Sequence, residues 1–115
     1  MTTESLTVEE LLTRADDQLG ATLCWWPLGI PEPPADELYR RALERMGENP
    51  SAQLEWRARQ GLGRFYATLG NTVMGERVYW EKALPECRRA YQLRPGDESS
   101  QFCYAQTFCA NCASQ

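Results

Sequence analysis

The residues of this 115-residue chain most suited to chemistry are its five cysteines, Cys24, Cys87, Cys103, Cys109 and Cys112. Cys109 and Cys112 form a C-x-x-C, a spacing that serves a thiol–disulfide pair or half of a metal site. The redox reading needs a βαβ unit ahead of the motif, and the metal reading needs a second pair; the sequence has neither. If the segment is helical, Cys103 points about 120° away from Cys109 at 3.6 residues per turn, so three thiolates do not converge. A zinc ion would need Cys24 or Cys87 folded onto the same spot. The expectation is therefore that the cysteines stay reduced and pack as small apolar side chains. A Cys-based metal or redox protein is the alternative, and an odd count prevents all five from pairing within one chain.

Histidine is absent, which removes every Ser-His, Cys-His and His-metal constellation built from this chain alone. The carboxylates Asp16, Asp17, Glu37, Glu44, Glu48, Glu81 and Glu86 sit mostly beside arginines, as on solvated helix faces. No glycine-rich phosphate cradle or nucleophile elbow accompanies them. These residues predict no enzyme, no cofactor and no metal.

The formal net charge of −4 speaks against nucleic acid as a partner, because phosphate neutralisation needs clustered cations. The N-terminal MTTESLTVEELL lacks a basic region followed by an apolar run, so it does not read as a signal peptide. No segment has the apolar length to span a bilayer. A cytoplasmic protein with no membrane contact is the expectation. At this length, with 43% hydrophobic and 24% charged residues, one domain with a single modest core is expected.

Helical signals account for almost all of the chain. Thr7 and Glu10 have the spacing of a capping box, which starts a first helix over about 7–23 with Val8, Leu11, Leu12, Ala15, Leu19 and Leu23 on one face. Prolines then crowd a loop over 24–34. Its Trp25 and Trp26 either pin the loop to the helices or form an exposed platform for a partner. A second helix over 35–47 opens on Asp36 and Glu37 and stops at Gly47. A third over 51–69 is capped by Asn49 or Ser51. A fourth over 73–93 includes Val73 and Met74 and either kinks at Pro85 or breaks near Leu84. A fifth over 98–112 follows Gly96-Asp97 and carries no charge after Glu98.

Leu62, Gly63 and Tyr66 stand in the order L-G-x-x-Y, and Ala83, Cys87, Ala90 and Pro95 follow. This resembles a tetratricopeptide repeat (TPR), whose pattern is W-x2-L-G-x2-Y, then A-x3-F, then P. Arg59 stands where the family has Trp, with Trp56 one turn earlier, and about eight residues are inserted before Ala83. The resemblance extends to Ala35, Tyr39 and Ala42. It also covers Gln101, Tyr104, Ala105 and Phe108, which fall on the packing positions of a further first helix. It implies a right-handed superhelix fragment of about two hairpins plus a closing helix. It also implies a groove on the first helix of each pair, here Arg57, Gln60, Arg64 and Ala67 with Phe102, Gln106 and Cys109.

The reading is an all-α protein of five helices that binds a peptide or partner protein as an adaptor, chaperone or assembly factor. Arg57 and Arg64, seven residues apart, would take an acidic side chain or a C-terminal carboxylate, or else pair with nearby Glu residues. The family's Lys and Asn carboxylate-clamp set is not present. The alternative from another class is a self-associating module, a homo-oligomer formed through the uncharged last helix with Phe102, Tyr104, Phe108 and Cys109.

Overall fold

A computed structural model describes residues 6–26, 28–48, 50–71 and 77–113 of the chain. Among them the backbone forms five α-helices and no strand: α1 Val8–Trp25, α2 Ala35–Met46, α3 Ala52–Gly70, α4 Arg77–Leu93 and α5 Glu98–Ala113. The all-α class expected from the periodicity is the class observed.

Each boundary has a local cause. Thr7 caps α1 as a reciprocal box: its hydroxyl accepts the Glu10 N–H at 3.2 Å, and the Glu10 carboxylate accepts the Thr7 N–H at 3.3 Å. The helix runs through Gly20 and ends two residues later than the expected Leu23, because the Trp26 N–H still reaches the Thr22 carbonyl at 2.9 Å. Trp25 is thus the last helical residue rather than a loop residue. Gly47 ends α2 with φ at 74°, a conformation that glycine adopts without strain. Ser51 occupies the N-cap position of α3 without a side-chain bond, and Asn49 lies outside the described residues. Asp97 caps the start of α5: its carboxylate accepts the Ser100 N–H at 2.9 Å and the Ser99 hydroxyl at 2.6 Å. Those bonds hold the Asp97 carboxyl below its ordinary range.

The extension of the fourth helix through Val73 and Met74 also lies outside the described residues. From Arg77 onward α4 is continuous across Pro85, so the alternative break near Leu84 does not occur. Pro85 has no N–H for the Glu81 carbonyl, and it lies on the exposed face. There the freed carbonyl costs least. Ala83, Cys87 and Ala90 form the buried face opposite.

Consecutive helices pack on one another, and α1, α3 and α5 also touch in succession. The described residues form a slab of 41 × 33 × 20 Å. Its thickness equals two helix diameters of about 10 Å each. One layer holds α1, α3 and α5; the other holds α2 and α4. α3 lies at the centre and is buried on nearly every side: Ala58, Leu62, Phe65, Tyr66 and Leu69 are all at 3% exposure or less.

What lets α3 take neighbours so closely is the absence of side chains at three positions. A Cβ on Gly61 would collide with the ring of Tyr39, one on Gly63 with the Cys87 sulfur, and one on Gly70 with the indole of Trp80 at 2.9 Å. The expectation that Gly63 marks a close helix contact therefore holds, and Gly61 and Gly70 extend it to α2 and to the start of α4.

The cysteine expectation is overturned. Cys87 and Cys103 form a disulfide between α4 and α5, with Cα atoms 5.8 Å apart, while Cys24, Cys109 and Cys112 are exposed rather than packed in the core. The pairing follows from topology. The short turn at 94–97 folds α5 back along α4, and Gly63 leaves room on α3 for both sulfurs. The register expected for α5 shifts as well. Ser100, Cys103 and Thr107 are its buried positions, one residue before Gln101, Tyr104 and Phe108. Ser100 and Thr107 tolerate burial because their hydroxyls bond to Gln60 and Asp97 in one case and to the Cys103 carbonyl in the other.

Ionic contacts tie the second layer to α3. Glu55, in the first turn of α3, is buried at 7% exposure and accepts Arg89 of α4 at 2.9 and 3.1 Å and Arg59 at 3.4 Å. The Arg89 bonds pull the Glu55 carboxyl below its ordinary range against the opposing effect of burial. Tyr66 donates to Asp36 at 3.0 Å and accepts from Arg40 at 2.6 Å, joining α3 to α2. Its phenol pKa is raised, chiefly by burial.

Two outcomes follow from this packing. Gly63→Leu should destabilise the fold by roughly 1–3 kcal/mol or more, read as a lower urea midpoint; unchanged melting would mean that Gly63 does not face Cys87. Because the Glu55 carboxyl is depressed in the folded state, its stabilising contribution is complete above the ordinary carboxylate range. That contribution is lost as pH falls through the depressed value. Glu55→Gln should therefore cost roughly 1–3 kcal/mol near neutral pH, and the cost should shrink in acid. A penalty that is constant with pH would exclude the charge as its source.

A candidate binding groove between α1, α3 and α5

The layer made by α1, α3 and α5 has two adjoining hollows on its surface. One, of 410 Å³, lies between α3 and α5 and is lined by Gln60, Arg64 and Ala67 of α3, Phe102 and Gln106 of α5, and Leu23 of α1. The other, of 270 Å³, lies between α1 and α3 and is lined by Asp16, Leu19, Tyr39, Arg57, Gln60 and Arg64 among others. Gln60 and Arg64 belong to both, so the hollows form one groove running across three helices.

Helical spacing puts the lining residues in rows. Arg57, Gln60, Arg64 and Ala67 recur every three or four positions along α3, and Phe102 and Gln106 lie four apart on α5. Five of the residues expected in a groove, Gln60, Arg64, Ala67, Phe102 and Gln106, come together in the α3–α5 hollow. Arg57 lines the neighbouring one.

Their chemical states differ. Arg57 is held by Asp16 of α1, its Nε at 3.0 Å and Nη2 at 2.7 Å both donating to the single oxygen Oδ2, a pair with a helix two elements away rather than with a local Glu. Asp16 also accepts the hydroxyl of fully buried Tyr39. Burial first, and then that bond to a carboxylate, drive the Tyr39 pKa upward, so the phenol stays protonated. Gln60 is only 7% exposed, and both ends of its amide are engaged: Nε2 donates to Ser99 at 3.2 Å and Oε1 accepts from Ser100 at 3.4 Å. It forms the floor of the groove and ties α3 to the start of α5. Trp56 strengthens the same joint by donating to Ser100 at 2.7 Å.

Arg64 is different. It is exposed, lies where the hollows meet, and has no ion-pair partner among the described residues. No carboxylate lines the α3–α5 hollow, whereas Leu23 and Phe102, at 46% and 69% exposure, supply apolar walls.

Three expected site residues lie elsewhere. Trp25 is 62% exposed at the end of α1 and lines neither hollow. Trp26 is half-buried against the core, its ring edge-on to Tyr79 at 6.5 Å. The two indoles divide the roles considered for them, Trp26 pinning the chain and Trp25 facing solvent, and they do not form a joint platform. Cys109 lines a separate hollow with Tyr91, Tyr104 and Phe108, at the edge of the α5 stripe that carries Phe102 and Gln106. Conversely, Leu23 and Asp16 belong to the groove although neither was singled out for it. Leu23 continues the Leu12, Leu19 apolar row, and nothing in its spacing reveals that α2 fails to cover it.

Among the described residues no group of three or more Cys, Asp or Glu side chains is arranged to hold a metal ion, and no helix is long and apolar enough to cross a membrane. Against known proteins, the chain matches no family model, no curated protein and no solved structure.

The cysteine arrangement is open to a direct count. Native protein should show three thiols reactive toward a water-soluble maleimide, Cys24, Cys109 and Cys112, and five after reduction and unfolding. Mass spectrometry that finds all five modified without reductant would exclude the Cys87–Cys103 bond.

Proposed function

We propose that the chain is a non-catalytic protein-interaction module, an adaptor, chaperone or assembly factor of divergent TPR-like build, whose groove takes a segment of another protein. The observation that carries this reading is Arg64. It is an uncompensated guanidinium at the meeting point of two hollows, flanked by the exposed apolar side chains of Leu23 and Phe102. A guanidinium presents a planar fork of donors that matches a carboxylate. In a protein of net charge −4, a locally basic and apolar groove selects an acidic side chain or a C-terminal carboxylate next to an apolar residue.

The repeat-like build is supported by the alternation of the helices between two layers and by the contact of Gly63 on α3 with Cys87 on α4. Those residues stand at the positions that the TPR resemblance assigns to the inside of a hairpin. A role without catalysis is supported by the absence of histidine from the sequence and by the engagement of the groove's carboxylate, Asp16, with Arg57 and Tyr39. The cytoplasm remains the proposed location, although the Cys87–Cys103 disulfide is a feature more common in oxidising compartments.

The test is selection from a displayed peptide library that includes free C-termini. Enriched peptides should carry a carboxylate beside an apolar residue. Arg64→Glu should lose them, weakening binding by roughly tenfold or more while helicity is kept. Enrichment of basic peptides, or peptides that bind Arg64→Glu equally well, would overturn the assignment. Arg64 is the better probe than Arg57, whose replacement also removes the bond to Asp16.

A further inference from the structure

α5 is fixed to the rest of the molecule differently from the other helices. The continuous apolar core is built from Leu6 and from residues of α1, α2, α3 and α4, and it takes none from α5. Among the described residues of α5 only Ser100, Cys103 and Thr107 are buried. The hydroxyls of Ser100 and Thr107 are engaged in hydrogen bonds. The Cys103 sulfur, bonded to Cys87 of α4, is therefore the buried apolar anchor of this helix. The other ties of α5 are polar or lie near the surface. Gln60 and Trp56 bond to its first turn, and Asn111 donates to the Trp80 carbonyl at 2.9 Å. Half-buried Tyr104 meets the Tyr91 ring at 5.4 Å and the exposed Arg88 guanidinium at 6.0 Å. Each polar bond of this kind adds little net stability. Yet α5 makes one wall of the groove, through Ser99, Phe102, Cys103 and Gln106.

We infer that the Cys87–Cys103 disulfide is a redox latch: closed, it holds α5 in place as a wall of the groove, and a dithiol reductant that opens it releases α5. The groove itself gives access. Cys87 is fully buried, whereas Cys103 lines the hollow between α3 and α5. A thiolate of the reductant attacks the Cys103 sulfur from the groove, forming a mixed disulfide and expelling the Cys87 thiolate. The second thiolate of the reductant attacks its own sulfur in that mixed disulfide, and the Cys103 thiolate leaves. Both protein thiolates take up the protons that the reductant's thiols gave up. One dithiol is oxidised to a disulfide, and two electrons pass to the Cys87–Cys103 pair. With the link across 16 positions gone, α5 depends on polar contacts and its own helix propensity. Ser, Cys, Thr, Phe, Tyr and Asn make up most of it, none a strong helix former, and a lone helix of 16 residues is marginal in water. The core of α1 to α4 has no such dependence, so the opening stays local. In the reducing cytoplasm, the proposed location, disulfides are usually transient and often redox-sensing. The consequence for binding rests on the groove reading. Loss of the wall that carries Phe102 removes one apolar side of the Arg64 site, and by linkage a bound segment makes the latch harder to reduce.

Hydrogen exchange on the full chain, read by mass spectrometry with and without dithiothreitol, tests the latch. On reduction the amides of 103–113 should exchange roughly tenfold faster or more, while those of α1, α2 and α3 keep their rates. Cys103→Ser should show the fast pattern with or without reductant. Cys24→Ser, Cys109→Ser and Cys112→Ser combined should respond as the wild type does, which assigns the effect to the buried pair. Exchange in α5 that ignores the reductant, loss of protection in all helices together, or a response abolished by the three exposed replacements would each overturn the inference. The peptides enriched on the oxidised protein should bind the reduced protein roughly tenfold more weakly or worse. Equal binding to both forms would overturn the control of the groove by the latch. The exchange measurements contain no peptide, so a selection that enriches nothing counts against the groove reading alone.

Discussion

The close approach of α2 and α4 to α3 is the constraint on which everything else in this protein depends. Gly61, Gly63 and Gly70 leave α3 without side chains where Tyr39, Cys87 and Trp80 press against it. Helices built from larger residues at these points would stand further apart and lose dispersion contacts along their whole length. Glycine inside a helix costs roughly 1 kcal/mol each relative to alanine, and α3 recovers that cost through burial on both layers. Its first turn is fixed by Glu55 to Arg89, its middle by Tyr66 to Asp36 and Arg40, and its outer side by Gln60 to Ser99. These polar bonds add little net stability one by one. They do fix which way the helix faces.

The orientation of α3 creates the groove. Once Leu62, Phe65, Tyr66 and Leu69 are directed inward, helical geometry leaves Arg57, Arg64 and Ala67 facing α1 and α5. Arg57 is neutralised by Asp16, and its neighbour one helical stretch later is not. The contrast arises from distance along α1: the one α1 acid in the groove is already shared by Arg57 and Tyr39, and the α1 residues that line it further on, Leu19, Gly20 and Leu23, carry no charge. A single unpaired cation between apolar walls therefore results from the packing of the core. The Cys87–Cys103 bond adds to this by holding α5, the far wall, against α4.

Much of this was legible in the sequence because it depends on local rules. The capping box at Thr7, the stop at Gly47 and the cap at Asp97 each follow from one or two side chains acting on the nearest backbone. The all-α class and the buried rows of α1 and α3 follow from apolar spacing, and the grouping of Gln60, Arg64 and Ala67 follows from helical periodicity alone. Gly63 was readable as a contact point because no other role suits a glycine in mid-helix with a tyrosine three residues on. The rest needed distances between residues far apart in the chain. The Arg57–Asp16 pair spans 41 positions, and no spacing rule links α1 to α3. Trp25 and Trp26 are adjacent and chemically alike, and only the point at which α1 ends decides which of them the core receives.

By itself, then, the sequence determined the five helices, the caps at Thr7, Gly47 and Asp97 and the buried rows of α1 to α3, because hydrogen bonding and apolar periodicity act within a few residues. It also determined that chemistry dependent on histidine is absent from this chain. Tertiary structure alone decided the pairing of Cys87 with Cys103, the one-residue turn of α5 that buries Ser100, Cys103 and Thr107, and the placing of Phe102 and Phe108 in different hollows. The physical reason is the low amphipathicity of α5. With no charged residue after Glu98 to mark a wet face, its rotation was left to the sulfur of Cys87, the amide of Gln60 and the indole of Trp56, all supplied by other helices.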